Sequence, residues 1–216
     1  MISQLETRLD EGLNAFSMSL DATAHKRLVQ YVVLLHKWNR AYNLTAVREP
    51  VAMMTRHVID SLTILPWVKG PRVLDVGSGP GVPGIMLAIV RPELHVSLLD
   101  SNGKKVRFQQ QAVMELGLSN VTPLHERIEA LPEDQKFDQI TSRAFSSLSD
   151  FISLSRHVLA DNGEWLAMRG RVDVDDPLPD DIEQIGSHAL SVPGDPGERH
   201  LVRATLRRYV KEASQG

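Results

Sequence analysis

The chain has 216 residues, 42% of them hydrophobic and 24% charged, which suits one sizeable soluble domain and excludes a disordered chain. It has no cysteine, which excludes disulfides, thiolate metal sites and thiol nucleophiles. A formal net charge of −3 argues against a general nucleic-acid binder, which is usually basic.

Along the chain, the first third reads as helical. Asp21 is placed to cap a helix carrying Leu28, Tyr31, Val32, Leu35, Trp38 and Tyr42 on one apolar face. A second helix is expected over 51–65, stopped by Pro66, and Gly70-Pro71 marks a boundary. Beyond it the pattern changes to short apolar runs alternating with helical stretches. Strands are expected at 72–76, 95–100, 121–125, 137–142 and 164–169. Helices are expected at about 83–90, 104–116 (closed by Gly117) and 148–159. This alternation implies an α/β fold, a doubly wound and mostly parallel sheet. Alternating residues over 200–209 and at the end of 185–192 predict late strands with an antiparallel pair at one edge. The expected organisation is an N-terminal helical extension, 1–66, followed by a nucleotide-binding domain, 71–211. The longest strictly apolar run, 85–90, is too short to cross a bilayer, and no cationic segment precedes an apolar one at the start. A cytoplasmic protein is expected, and nothing requires more than a monomer.

Ligands of such sheets bind beyond the carboxyl ends of the strands. The first strand runs into Asp75-Val76-Gly77-Ser78-Gly79-Pro80-Gly81-Val82-Pro83-Gly84. Gly77, Gly79 and Gly81 permit a tight turn and close approach of a ligand. A dinucleotide fingerprint would place its third glycine at position 82, which is Val82. Asp100 ends the second strand, where a carboxylate can accept from both hydroxyls of a ribose. An acid there also suits NAD. The loop alone therefore leaves open an S-adenosylmethionine methyltransferase, a nicotinamide dehydrogenase and a glycine turn with no ligand.

Charge is segregated. Between His25 and Arg56 stand six bases (Lys26, Arg27, Lys37, Arg40, Arg48, Arg56) and one acid. Between Arg199 and Lys211 stand five arginines or lysines and no acid, while acids collect between Asp173 and Glu183. A basic face on an acidic protein is thus possible, as is a set of merely solvated faces.

Further strings add to the loop: Lys37-Trp38-Asn39-Arg40-Ala41-Tyr42-Asn43-Leu44-Thr45, Arg56-His57-Val58-Ile59-Asp60-Ser61-Leu62, Asp100-Ser101-Asn102-Gly103-Lys104-Lys105, Ser142-Arg143-Ala144-Phe145 and Gly197-Glu198-Arg199-His200-Leu201. In this order and spacing the chain resembles the bacterial 16S ribosomal RNA guanine-N7 methyltransferase family, also called glucose-inhibited division protein B, from about residue 28 to 206. The resemblance implies a class I methyltransferase fold, S-adenosylmethionine as cofactor, and 16S ribosomal RNA or the small ribosomal subunit as substrate. It implies cofactor contacts from Gly77 and Val82, Ile128 and Glu129 beside the adenine, and Arg143 near the methyl donor. With Asp75, Gly79, Gly81 and Asp100 these make up the expected cofactor site. Candidate RNA contacts are Lys37, Asn39, Arg40, Asn43, Arg56, Lys104, Lys105, Arg169 and Arg199.

Two departures from the family pattern stand out. Arg169-Gly170 replaces the more usual lysine-glycine, exchanging a point charge for a planar fork. Gln109 follows Phe108 where an apolar residue is common, and reads as a surface adjustment. Guanine N7 has a lone pair and no hydrogen, so no general base is expected. Arg143 and Phe145 are the positioning candidates. Trp38 and Tyr42 could receive a base, but their helical spacing favours packing. His57 and Asp60, three residues apart, are expected to pair and brace the junction. No metal site is expected. Competing functions are methylation of another RNA or a small molecule, and nucleotide-dependent RNA binding without turnover.

Overall fold

A computed structural model describes residues 1–143, 145, 147–170 and 176–207. Seven strands form one sheet in the order β3-β2-β1-β4-β5-β7-β6. The strands are β1 (Arg72–Val76), β2 (His95–Asp100), β3 (Val121–His125), β4 (Phe137–Ser142), β5 (Leu159–Arg169), β6 (Ile182–Ala189) and β7 (His200–Leu206). The first five are parallel, and β7 runs antiparallel between β5 and β6. Strand order reverses between β1 and β4, so the crevice outside their carboxyl ends is where a ligand fits this topology.

Residue parity explains the layers. Val73, Val96, Leu98, Leu166 and Met168 point to one face, whereas Leu74, Leu99, Trp165 and Ala167 point to the other. The first face is covered by α1 (Ile2–Ala15), α2 (Ala22–Tyr42), α5 (Gly84–Val90) and α6 (Gly103–Leu116). The apolar stripes of α1 and α2 join the same core as this sheet face. The second face is covered by α7 (Leu148–Ser155). Asp21 caps α2 by accepting from the Ala24 N–H at 2.8 Å, and Asn102 caps α6 in the same way from Lys104 at 3.0 Å. No helix among the described residues is long and apolar enough to cross a membrane.

Four elements differ from the sequence expectation, one being β6, which spans Ile182–Ala189 and so lies earlier than the strand expected at the end of 185–192. The helix expected over 51–65 is α3 (Pro50–Met53), a π-helical stretch (Met54–Ile59) and α4 (Asp60–Leu62). Pro66 then lies inside a 3-10 turn, Leu65–Trp67, near whose start a missing N–H costs nothing. The helix expected to reach residue 159 ends at Ser155, and a 3-10 turn, Arg156–Val158, leads directly into β5. That strand starts at Leu159, five residues early, because Asp161-Asn162-Gly163 stays extended past an irregularity opposite Phe137 and Gln139. The last strand ends at Leu206, and the expected residues 208 and 209 lie outside the described residues.

Candidate functional site

The glycine loop lies directly above the switch point. Gly77, Gly79 and Gly81 all have positive φ, at 66°, 58° and 90°. The Gly77 and Ser78 N–H groups donate to the Leu99 carbonyl, tying the loop to β2. Gly79 N–H donates to Asp100 Oδ2 at 2.8 Å, and Asn102 N–H to Asp100 Oδ1 at 2.8 Å. Each carboxylate oxygen therefore keeps capacity for one more donor. Gly77 and Asp100 line a cleft of about 260 Å³ with Ile128, Glu129 and Phe145. The structure thus brings together five of the expected residues at one strand edge.

Asp75 sits elsewhere. It lies one residue before the end of β1 and points to the α5 face, where it is fully buried. Its Oδ2 accepts from Gly84 N–H at 2.8 Å, meeting an otherwise unpaired donor at the start of α5, while Oδ1 has no partner. Burial pushes its carboxyl up to about 7, against the opposing pull of Gly84 N–H and Arg143. Asp75 supports the loop from beneath and does not line the cleft. Val82 likewise packs in the core, and its N–H turns inward to the Ser78 carbonyl.

A second cleft, also about 260 Å³, is lined in part by residues at the ends of β4 and β5. Arg56, His57 and Asp60 reach it from the π-helical stretch and α4, Arg143 and Arg169 from the ends of β4 and β5, and Arg199 from the start of β7. Arg143 therefore lines this cleft and not the one that Gly77 and Asp100 line. Asp60 is buried and anchors Arg143 at 3.2 Å and Arg199 at 3.1 Å. Asp195 holds Arg199 at 2.9 Å and Arg56 at 3.3 Å. The Gly197 N–H, then these arginines, keep the Asp195 carboxyl below its ordinary range. Three arginines against two aspartates leave a preorganised positive site.

The expected pairing of His57 with Asp60 is not formed. His57 Nε2 meets Thr45 Oγ1 at 2.9 Å, and Asp60 is committed to arginines. Burial, then the charge of Arg143, pushes the His57 imidazole down to about 4, so it is neutral near pH 7. Arg169 pairs with Asp176 at 2.6 Å.

The remaining candidates divide. Asn39, expected on the RNA face, is buried. Its amide donates to the Val47 carbonyl at 3.1 Å and accepts from Thr45 N–H at 2.9 Å, which braces the turn after α2. Asn43 closes α2 in the left-handed conformation and accepts from Arg48 at 3.0 Å. Lys37, Arg40 and Lys104 are exposed and Lys105 half-buried. Trp38 packs against Tyr42 and Phe108, with ring centroids at 5.2 and 5.8 Å. Phe145 packs on Phe151 at 5.3 Å while lining the first cleft. Of the basic run after Arg199, Arg203 pairs with Glu164 at 2.9 Å, and 208 and 211 lie outside the described residues. No group of three metal-ligating side chains occurs among the described residues.

Sequence reasoning missed two residues. Gln109, read as a surface adjustment, is fully buried under the loop. Tyr31, read as part of an apolar stripe, donates its hydroxyl to the Pro80 carbonyl at 2.8 Å. A hydroxyl in a helix stripe needs a buried partner, which was the one available signal. A groove of about 900 Å³ between α1, α2 and the end of α6 reaches neither the loop nor the ends of the strands.

Residues 24–201 match the family model described as GidB, rRNA small subunit methyltransferase G. The chain is 54% identical over 210 residues to the ribosomal RNA small subunit methyltransferase G of Chromohalobacter salexigens, covering 96% of this chain and 100% of that protein. Among solved structures, TrmN from Thermus thermophilus is similar with a TM-score of 0.57 at 20% identity, over 78% of this chain and 53% of that one. The ribosomal protein L11 methylase of Lactobacillus delbrueckii subsp. bulgaricus gives 0.53 at 14%, over 71% and 79%. At these identities the likeness concerns the fold alone.

Proposed function

Since the chain belongs to the rRNA small subunit methyltransferase G family, we propose that it methylates N7 of a guanine in 16S ribosomal RNA of the small subunit, with S-adenosylmethionine as donor. The fold is that of class I methyltransferases. The observation that carries the reading is a pair of clefts lined by residues at and beyond the carboxyl ends of the parallel strands. One is lined by backbone glycine and a ribose-competent carboxylate, the other by anchored arginines.

The first cleft fits the cofactor. Asp100 retains one acceptor site on each oxygen for a ribose diol, and Ile128 with Glu129 would flank the adenine. When bound, S-adenosylmethionine supplies an electrophilic methyl on its sulfonium. Guanine N7 carries a lone pair and no proton, so the protein's task is positioning rather than base catalysis, and alignment alone can supply several kcal/mol. Arg143, held by Asp60, is set to meet the O6 edge of the base, a pairing arginine makes with guanine elsewhere. The base must leave its stack to enter. Arg56, exposed at the rim, and Arg199 would take flanking phosphates.

The test is transfer of labelled methyl to small subunits from cells lacking this gene, with the product nucleoside identified by mass spectrometry. Label in 7-methylguanosine, abolished by Gly77→Asp, is the expected result. Cofactor binding without label in ribosomal RNA would remove the substrate assignment.

A further inference from the structure

Three side chains from three elements fix the glycine loop. Asp100 of β2 accepts from Gly79 N–H, Tyr31 of α2 donates to the Pro80 carbonyl, and Gln109 of α6 holds the other side of Gly79. Gln109 Nε2 donates to the Gly79 carbonyl at 2.7 Å and to Ser78 Oγ at 2.9 Å. Turning the amide over would aim Oε1 at that carbonyl, so the orientation is fixed by chemistry.

Two observations show that this side chain does more than fill space. Its Oε1 is buried with no hydrogen-bond partner, a cost that an apolar side chain of equal length would avoid. Gly79 also has φ +58° and nothing within 4 Å of a Cβ placed there. No group therefore packs on that side of the Gly79 backbone, and the described contacts that fix its N–H and carbonyl are the hydrogen bonds to Asp100 and Gln109. The N–H of that same residue meets Asp100 Oδ2, on the carboxylate that lines the first cleft.

We propose that Gln109 is a positioning residue for the cofactor. By fixing the Gly79 carbonyl it aims the Gly79 N–H at Asp100, and so sets which edge of that carboxylate is left for the ribose hydroxyls. The inference rests on the cofactor reading above.

The test uses the full chain with Gln109→Met and Gln109→Glu. Met removes both N–H donors at nearly constant length, and Glu removes them when ionised, a protonated carboxyl keeping one O–H donor. One is apolar and the other polar, so a packing role would spare Met and a polar-solvation role would spare Glu. Cofactor Kd by calorimetry, separate KM values for S-adenosylmethionine and small subunits, kcat and Tm are measured. Loss of the two bonds is expected to weaken cofactor binding about tenfold in both variants (about 1.4 kcal/mol). KM for subunits, kcat at saturating cofactor and the Tm of the Met variant stay close to those of the unaltered protein. Unchanged cofactor affinity in the folded Met variant overturns the proposal, as does a parallel rise of both KM values with a fall in Tm. Absence of cofactor binding by the unaltered protein overturns both this inference and the reading beneath it.

Discussion

Asp75→Asn removes a buried carboxyl whose proton is linked to folding, and the sign of its effect is opposite to that of His57. Asp75 moves from an ordinary 3.8 to about 7 on folding, so between those values the native state holds a proton that the unfolded chain has released. Its contribution to stability is complete below about pH 4 and is lost as pH rises to about 7, a swing of about 4 kcal/mol. His57 moves from 6.5 to about 4, so the unfolded chain holds the extra proton. Its contribution is complete above about pH 6.5 and is lost as pH falls to about 4, a swing of about 3 kcal/mol. Over pH 4.5–6.5 the two slopes nearly cancel in the unaltered protein. In the Asn variant Oδ1 still accepts from Gly84 N–H, so the loop support survives. Urea denaturation at four pH values, each variant against the unaltered chain, isolates the two groups because all other titrations cancel. The stability of Asp75→Asn relative to the unaltered chain should rise from pH 4.5 to 7.5, and that of His57→Gln should fall from pH 4.5 to 6.5. A difference independent of pH in either case would refute the burial argument for that group.

The glycine loop separates two kinds of cost. Gly79→Ala meets open space and bears only the positive-φ penalty of about 1–2 kcal/mol, whereas Gly81→Ala adds overlap with the Ile85 side chain. Denaturation should rank Gly81→Ala as clearly the worse, and equal losses would count against the packing beneath the loop. In the cationic cleft, Arg199→Ala leaves buried Asp60 with one partner and should cost about 3 kcal/mol, while Arg56→Ala, at a side chain 58% exposed, should cost under about 1 kcal/mol. The Arg56 change should instead lower the salt dependence of RNA binding by about one ion, read from the slope of log affinity against log salt. Asn39→Ala should lose about 2 kcal/mol of stability with that slope unchanged, and a reduced slope would return Asn39 to the RNA face.

The parallel strands were legible because each is a short apolar run bounded by glycine, proline or charge. The expected limits of β1 to β4 coincide with those observed. The early start of β5 was hidden because Asp161-Asn162-Gly163 carries turn chemistry, yet pairing around an irregularity keeps it extended. The π-helical stretch had no local signature either. Residues 54–59 read as ordinary helix, and the partners that Arg56, His57 and the following Asp60 meet come from other parts of the chain.

The site was legible in its residue types more than in their roles. Asp75 and Asp100 look alike in sequence, each an acid at a strand's carboxyl end. One residue of difference separates them: Asp75 precedes the last residue of β1 and is roofed by the loop, whereas Asp100 is the last residue of β2 and reaches the cleft. The same logic explains Gln109. On its helix it follows buried Phe108 and precedes exposed Gln110, so periodicity alone leaves its environment undecided. Only the fold shows that its turn of α6 lies under Ser78 and Gly79, thirty residues away in the chain. A fully buried polar side chain with one of its own atoms unpaired lowers stability unless another property depends on it. Here that property is the direction of a single backbone N–H. Cofactor affinity should therefore respond to Gln109 more strongly than folding does, the reverse of what a residue kept for packing would show.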